Sequence, residues 1–238
     1  MHHHDFDHIA DGVVGAAAIA ATVLANPLLR PFYRKWGATE HEARMPLPGD
    51  ELIEQPRMQY TRAITIAAPP ERVWPWLVQL GYGRAGWYSY DLLEDAAGAA
   101  TFVDGGQSAD RIVPELQDLQ VGDEIRLHDN LSLRVHTLAP PRVLILADAR
   151  DAATNERYDP SQGPKPADCS CASWAFVLED PDEPDCKGGT RLLIRWRLDY
   201  TPTRSNEIMW KAFVEPINFV MERKMMLGLK HRAETFDG

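Results

Sequence analysis

The segment from Asn206 to about Glu234 constrains the fold more than any other part of the sequence. Apolar residues recur in it at spacings of three and four, namely Trp210, Val214, Ile217, Met221, Met225 and Gly228. A second line at the same spacing is polar and consists of Lys211, Glu215, Asn218 and Glu222. This periodicity predicts one long amphipathic helix whose apolar side must pack against another layer.

Several upstream segments alternate with a period of two, which is typical of β-strands. They read TRAITIAA, DEIRL, LSLRVHTL, PRVLILAD, ASWAFVLED and GTRLLIRWRLDY. In the last of these, Leu192, Ile194, Trp196 and Leu198 share one face, and Arg191, Arg195 and Arg197 share the other. We therefore expect the apolar row to face the core and the arginines to be solvated.

The order of these elements predicts the fold class. PPERVWPWLVQLG indicates a helix after the first strand, although Pro75 falls inside it. A strand, short helices, mostly antiparallel strands and one long final helix are typical of an α+β protein. We expect a curved antiparallel sheet wrapped around the long C-terminal helix, with an apolar helix at the N-terminus.

Composition limits the partners and cofactors. The 238 residues suit one sizeable domain, and a net charge of -10 without a basic stripe argues against binding to nucleic acid. The three cysteines are Cys169, Cys171 and Cys186, too few for a disulfide scaffold, so a reducing compartment is expected. The predicted strand between Cys171 and Cys186 would separate the first two thiols from the third by about 25 Å. No metal and no cofactor are predicted.

The N-terminal stretch Gly12 to Leu29 carries no charge for 18 residues. As a helix it would extend about 27 Å, close to the thickness of a bilayer core. Two interpretations stay open: a membrane anchor, or a helix packed on the protein, since alanines contribute little to insertion and Asn26-Pro27 breaks the helix. Charge asymmetry around the stretch would leave the C-terminal part in the cytoplasm, tethered to the inner face of the membrane.

Three regions follow from this organisation. Residues 1–30 form the apolar helix, residues 31–60 a connector, and residues 61–238 the folded domain. The connector is polar and contains Pro46, Pro48 and Pro56, which forbid a long helix there.

Residues 81–91, GYGRAGWYSYD, combine glycines with aromatic residues. On a strand Tyr88 and Tyr90 would share one face, where they could line an apolar pocket with hydroxyl groups that orient a ligand. Alternatively they fill the core. Asp91 and Arg111 are expected near the mouth of such a pocket, either there or in an ordinary surface ion pair.

Four segments carry a resemblance to a known family: RKWGATEHEARMPLPGDELI, ERVWPWLVQLGYGRAGWYSYDLLE, ADRIVPELQDLQVGDEIRL and EPINFVMERKMMLGLKHRAE. They resemble an uncharacterised bacterial subset of the SRPBCC superfamily, which comprises START, pollen-allergen and polyketide-cyclase-like proteins. The resemblance covers roughly residues 34 to 235. It implies a helix-grip fold with a large apolar cavity for lipids, polyketides or sterols between sheet and helix.

The apolar inner faces and this resemblance define the predicted site. No histidine falls on an inner face, and no GxSxG, HExxH or P-loop spacing is present, so no catalytic residue is predicted. The predicted ligand-binding residues are Trp87, Tyr88, Tyr90, Asp91, Arg111, Trp174, Phe176, Trp196, Trp210, Phe213, Ile217 and Met221.

Three hypotheses of function follow. The leading one is binding or transport of a hydrophobic small molecule, lipid- or polyketide-like, without catalysis. The second is an enzyme of the polyketide cyclase or dehydratase type, in which Tyr88, Tyr90 and Asp91 shape the substrate and exchange protons. The third is a membrane-associated interaction module whose cavity is filled by its own side chains.

Overall fold

The computed structural model describes residues 2–98, 103, 105–159, 166–181 and 188–236. The helices are α1 (His2–Leu24), α2 (Asn26–Tyr33), α3 (Glu40–Arg44), α4 (Pro70–Val78), α5 (Asp91–Ala96), α6 (Arg204–Ile208) and α7 (Glu215–Thr235). The strands are β1 (Met58–Ile66), β2 (Glu124–His128), β3 (Leu131–Ala139), β4 (Val143–Asp151), β5 (Cys169–Glu179) and β6 (Thr190–Tyr200). A π-helical turn, Met209–Val214, joins α6 to α7.

The strands form one antiparallel sheet in the order β1-β6-β5-β4-β3-β2. Strand β1 forms one edge of the sheet, and β2 forms the other edge. From β2 onward each strand pairs with the next one in sequence, so that β6 lies beside β1. The long C-terminal helix packs on this sheet. This is the α+β helix-grip arrangement, and the predicted fold class is confirmed.

The apolar row of β6 faces the core, as predicted. Trp174 on β5 pairs with Trp196, and Phe176 pairs with Ile194, so large side chains lie side by side on the inner face. All four are buried in the main hydrophobic core. The period-two pattern fixed this face because successive strand side chains point to opposite sides of a sheet.

The prediction that the arginines of β6 are solvated is wrong. The outer segment, residues 40–54, covers the outer face of the sheet, and Arg195 is only 2% exposed. Its guanidinium donates to the Asp50 carboxylate at 2.6 Å and to the Met45 carbonyl oxygen at 2.9 Å. Arg197 donates to the carbonyl oxygen of Ile53 at 2.8 Å. Charged hydrogen bonds satisfy these buried groups, as burial requires.

The remainder of the predicted connector also contacts the sheet. The amide of Thr61 donates to the carbonyl oxygen of Arg34 at 2.9 Å, and that of Ala63 donates to Trp36 at 3.1 Å. Residues 34–36 thus lie along β1, which is the edge strand, and cover its hydrogen-bonding groups. Strand β1 itself begins at Met58, three residues before the predicted start near Thr61.

The polar line on α7 is not a solvent-facing side. Glu215 and Glu222 are both buried. Glu215 is ion-paired with Arg30 at 2.8 Å and with Arg34 at 3.2 Å. The N-terminal helices lie against α7 on the side away from the core, so that both sides of α7 are covered. Exposed apolar residues lie instead in and around the π-helical turn before α7, where Phe213 is 51% exposed.

Helix α1 packs against α5 and α7. Glycines allow the close approach, since a Cβ atom at Gly15 would lie 2.8 Å from the ring of Tyr90, and one at Gly12 would lie 2.4 Å from Leu92. Asp11 forms an ion pair of 2.7 Å with Lys224 of α7. In the part of the chain that the structure describes, no single helix is long and apolar enough to cross a bilayer. Ile9–Leu24 and Asn26–Tyr33 meet those criteria only together, and they are bent by 106°.

Candidate functional site

A cavity of about 460 Å³ lies between α1, α5, α7 and the inner face of the sheet. Each surrounding element contributes an apolar wall: Ile19 from α1, Leu93, Ala96 and Ala97 around α5, Leu127 from β2, Trp174 from β5, and Ile217, Met221 and Met225 from α7. Trp87 adds a further aromatic wall. The polar lining residues are Ser89, Glu94, Asn218 and Glu222.

The aromatic wall is continuous with the core. The rings of Trp87 and Trp174 have centroids 5.6 Å apart, and Trp174 contacts Phe176 at 4.7 Å and Trp196 at 5.4 Å. Such contacts between large rings fix their orientation. The cavity therefore has a rigid wall on the side of the sheet.

A buried ionic network lies beside this wall. Glu222 forms an ion pair with Arg62 of β1 and accepts a hydrogen bond of 3.1 Å from the indole nitrogen of Trp174. Arg62 also donates to Asn218 Oδ1 at 2.9 Å, and its guanidinium lies 3.8 Å from the ring centroid of Tyr60. Burial raises the pKa of the Glu222 carboxyl, while Arg62 and the Trp174 N–H act to lower it. The network satisfies Glu222 from two directions.

Glu94 is the unusual residue of the site. Its side chain is 3% exposed, and neither carboxyl oxygen has a hydrogen-bond partner among the described residues. Burial, together with the nearby Asp91 carboxylate, raises the pKa of Glu94 to about 8. A carboxyl with such a pKa is mostly protonated at neutral pH. Strongly perturbed carboxyls in cavities are enriched at functional sites.

Asp91, the first residue of α5, differs from Glu94 because its carboxylate lies beside hydrogen-bond donors. Its carboxylate accepts a hydrogen bond from the Ser108 hydroxyl at 2.6 Å and another from the Ser108 amide at 3.1 Å. Two carboxyls on one short helix thus have different surroundings. One is hydrogen-bonded, and the other is buried in the cavity wall.

The strand predicted for residues 87–91 is wrong, because the chain turns there and α5 begins at Asp91. Tyr88 has a positive φ of 55°, which a non-glycine residue adopts only at some cost. Consequently Trp87 and Ser89, rather than the tyrosines, line the cavity.

Both tyrosines are buried outside the cavity lining. The Tyr88 hydroxyl accepts from Gln79 at 2.7 Å and donates to the carbonyl oxygen of Trp76 at 3.2 Å. The ring of Tyr90 packs against Gly15, and the amine of Lys224 lies 5.1 Å from its centroid. Tyr88 belongs to the main hydrophobic core and also lines a second cavity of about 360 Å³ beside Asp91, whereas Tyr90 packs against α1.

Some of the other predicted site residues line the cavity, and others lie behind its wall. Trp87, Trp174, Ile217 and Met221 line the cavity together. Phe176 and Trp196 lie behind Trp174 in the core.

The predicted residues that lie away from the cavity have other surroundings. Trp210 stacks on Tyr200 with centroids 5.9 Å apart, and Phe213 faces outward. Arg111 is exposed, and its carbonyl oxygen accepts a hydrogen bond from Gln79 at 3.0 Å.

Two carboxyls of the cavity are absent from the predicted site residues. Glu94 and Glu222 both line the cavity. One signal could have revealed Glu222: Arg62 falls in the inner row of β1, opposite Ile194, and a charge on an inner face requires a buried partner. No comparable signal marks Glu94, because a glutamate early in a short helix is ordinarily exposed.

Two cysteines, Cys169 and Cys171, lie away from this cavity. Cys169 and Cys171 are buried on β5, and the Tyr158 hydroxyl lies 3.0 Å from the Cys171 sulfur. Within the described ranges, no three His, Cys, Asp or Glu side chains cluster to hold a metal ion. Cys186, which entered the sequence argument about a metal site, lies outside the described residues.

Comparison with known proteins gives no family assignment: no family model matches the chain, and no curated protein matches it. Among solved structures, CalU16 from Micromonospora echinospora is 13% identical, with a TM-score of 0.29 over 74% of this chain and 83% of its own. A protein from Arthrobacter aurescens is 16% identical, with a TM-score of 0.37 over 76% and 88%. Ara h 8.0201 is 9% identical, with a TM-score of 0.26 over 68% and 97%.

At these identities and TM-scores, the likeness carries no argument about the family of this chain. No argument about the ligand rests on it. Membership of the SRPBCC superfamily and of its narrower bacterial subset stays a prediction.

Proposed function

We propose that this protein binds a small hydrophobic molecule, lipid- or polyketide-like, in the cavity between α1, α5, α7 and the sheet. The observation that supports it is the cavity itself, whose volume of about 460 Å³ lies among those of ligand pockets. Apolar and aromatic side chains make most of its wall, and a few polar groups interrupt them, which is the usual composition of such pockets. The interaction-module hypothesis requires an interior filled by the protein's own side chains, and a cavity of this volume does not fit that requirement.

Helix α1 closes the cavity on one side and supplies the most direct test. Ile19 lines the cavity, whereas Val13 on the same helix is 62% exposed. Tryptophan at position 19 would occupy space that a ligand needs, whereas tryptophan at position 13 would point to solvent. Ile19→Trp and Val13→Trp therefore form a matched pair on one helix.

The experiment measures binding of the neutral dye N-phenyl-1-naphthylamine by fluorescence, and apolar molecules that co-purify by mass spectrometry. We expect the wild type and Val13→Trp to bind the dye and to retain the same molecules. Ile19→Trp should lose most of both. Equal binding by the two variants would refute the proposal.

A second candidate function is acid–base catalysis of the cyclase or dehydratase type. The observation that favours it is Glu94, because a general acid or base works best with a pKa near the operating pH, and burial raises that of Glu94 to about 8. Glu94→Gln would then abolish formation of cyclised or dehydrated product from a β-keto substrate and leave binding intact. Recovery of unchanged substrate from the wild type would argue for binding alone.

We further propose that α1 and α2 contact a membrane surface on the cytoplasmic side. Every exposed residue between Ile9 and Phe32 is apolar, including Val13 and Leu28. An apolar helical face of this kind suits the boundary between head groups and acyl chains. Val13→Glu/Leu28→Glu should abolish co-sedimentation with phosphatidylcholine vesicles, whereas glutamate at the exposed Val121 should not. Failure of the wild type to co-sediment would refute this proposal.

A further inference from the structure

The polar residues in the wall of the cavity are Ser89, Glu94, Asn218 and Glu222, and three of the four have hydrogen-bond partners within the protein. The Ser89 hydroxyl donates to the Met221 carbonyl oxygen at 3.0 Å. Asn218 Oδ1 accepts from Arg62 at 2.9 Å, and Glu222 is held by Arg62 and Trp174. The internal network therefore accounts for the Ser89 hydroxyl, the Asn218 carbonyl oxygen and the Glu222 carboxyl without a ligand.

Glu94 is the exception. Both of its carboxyl oxygens are buried, and no described residue provides either of them with a hydrogen bond. A buried polar group without a partner costs about 1–3 kcal/mol. Such a group in the wall of a ligand-sized cavity marks the point at which a bound molecule can supply the hydrogen bonds that the protein does not.

The charge of the cavity limits the chemistry of that molecule. None of the lining residues in the described part of the chain is Lys, Arg or His. An anionic head group would therefore lie beside Glu94 and Glu222 with no cation in the wall to offset it. This argues against fatty-acid carboxylates and phosphates.

The protonated carboxyl of Glu94 offers one O–H donor and one carbonyl acceptor. A hydrocarbon satisfies neither of these groups, and an ether or a ketone satisfies only the donor. A hydroxyl group satisfies both, because it can accept from the acid and donate to its carbonyl oxygen at once.

We infer that the ligand of this cavity is a neutral apolar molecule with a hydroxyl group, an alcohol or a phenol, and that Glu94 binds this hydroxyl. The inference rests on the proposed binding function and assigns Glu94 as the residue that determines specificity. The hydroxyl can be carried by an aliphatic chain or by an aromatic ring. The experiment separates these two sources.

Two matched pairs of probes test it by calorimetry. 1-Decanol is compared with 1-methoxynonane, which has the same number of heavy atoms and no donor, and 2-naphthol is compared with 2-methoxynaphthalene. For the pair whose body fits the cavity, we expect the wild type to bind the hydroxyl compound five- to tenfold more tightly, about the effect of one net hydrogen bond. Decanoate should bind more weakly than 1-decanol.

Three variants assign this preference to Glu94. Glu94→Leu should lose the preference while it binds the ethers as tightly as the wild type or more so. Glu94→Gln should retain a preference, because its amide also offers a donor and an acceptor. Asp95→Asn, which removes an exposed carboxyl of the same helix outside the cavity lining, should leave the preference unchanged. Circular dichroism checks that each variant is folded.

The outcomes distinguish this inference from the function on which it rests. Equal affinity of the wild type for the compounds of each pair, or a preference that persists in Glu94→Leu, would overturn the inference and leave apolar binding intact. Binding of none of these compounds would overturn the proposed function, and the inference with it.

Discussion

Replacing Glu94 with glutamine should change how the stability of the fold depends on pH. The folded protein holds the pKa of this carboxyl at about 8, against an ordinary value of 4.5, chiefly because the group is buried and secondly because of Asp91. Because the folded state binds this proton more tightly than the unfolded chain does, proton binding at Glu94 stabilises the folded state, and this contribution is fully present below about pH 4.5. It is lost as the pH rises through about 8.

The magnitude follows from the difference between folded and unfolded protonation. At about pH 5.5 the unfolded chain has largely lost this proton, whereas the folded state holds it about 2.5 pH units below its pKa. At about 1.36 kcal/mol per pH unit, the wild type should lose about 3 kcal/mol of unfolding free energy between about pH 5.5 and pH 9. Because residue 94 is almost fully buried, solvent screening reduces this figure little.

The assay is urea unfolding of the wild type and Glu94→Gln across this pH range. Titrating groups other than residue 94 are present in both proteins and cancel in the difference between the two curves. The glutamine variant should gain stability relative to the wild type by about 3 kcal/mol as the pH rises. A control, Glu115→Gln at an exposed position, should give a flat difference. A flat difference for Glu94→Gln would refute the argument that burial controls this carboxyl.

Three further predictions concern packing and the buried ion pairs. Arg62→Met leaves the buried Glu222 carboxylate without its cation and should cost about 3–5 kcal/mol in urea unfolding, and the double variant with Glu222→Met should recover most of this loss. Gly228→Ala should lower the free energy of unfolding by about 1–3 kcal/mol, because a Cβ atom would lie 2.3 Å from the carbonyl oxygen of Tyr88. Helix propensity alone predicts higher stability, and that result would contradict the close packing of Gly228 against Tyr88. Arg195→Met removes the bonds that hold the outer segment and should make it the first site of limited proteolysis, whereas an unchanged digestion pattern would argue against this role.

The general architecture could be predicted from the sequence because it depends on periodicity. Alternation placed Trp174 and Trp196 on the inner face, and three- and four-residue spacing placed Ile217 and Met221 on one side of the final helix. These patterns reflect contacts within one element or between neighbouring strands. They are therefore present in short windows of sequence.

The predictions that failed depend on a third layer, which no short window contains. Arg195 and Glu215 occupy positions that a two-layer protein would expose. They are buried because the outer segment covers one side of the sheet and α1 with α2 covers one side of α7. Residues 87–91 failed for another reason, since the turn around Tyr88 requires a positive φ that alternation of side chains does not report.

The same third layer produces the candidate site. Without α1 the cavity would lack the wall that Ile19 forms. Helix α5 would also be exposed on the side that α1 now covers, where Gly12 and Gly15 allow the two helices to approach closely. The burial that raises the pKa of Glu94 therefore depends on how closely α1 packs against α5. Substitutions at Gly15 should accordingly act on the cavity and on Glu94 together, whereas substitutions on the exposed side of α1 should act on neither. The apolar N-terminal helix is thus the element that holds a carboxyl away from water.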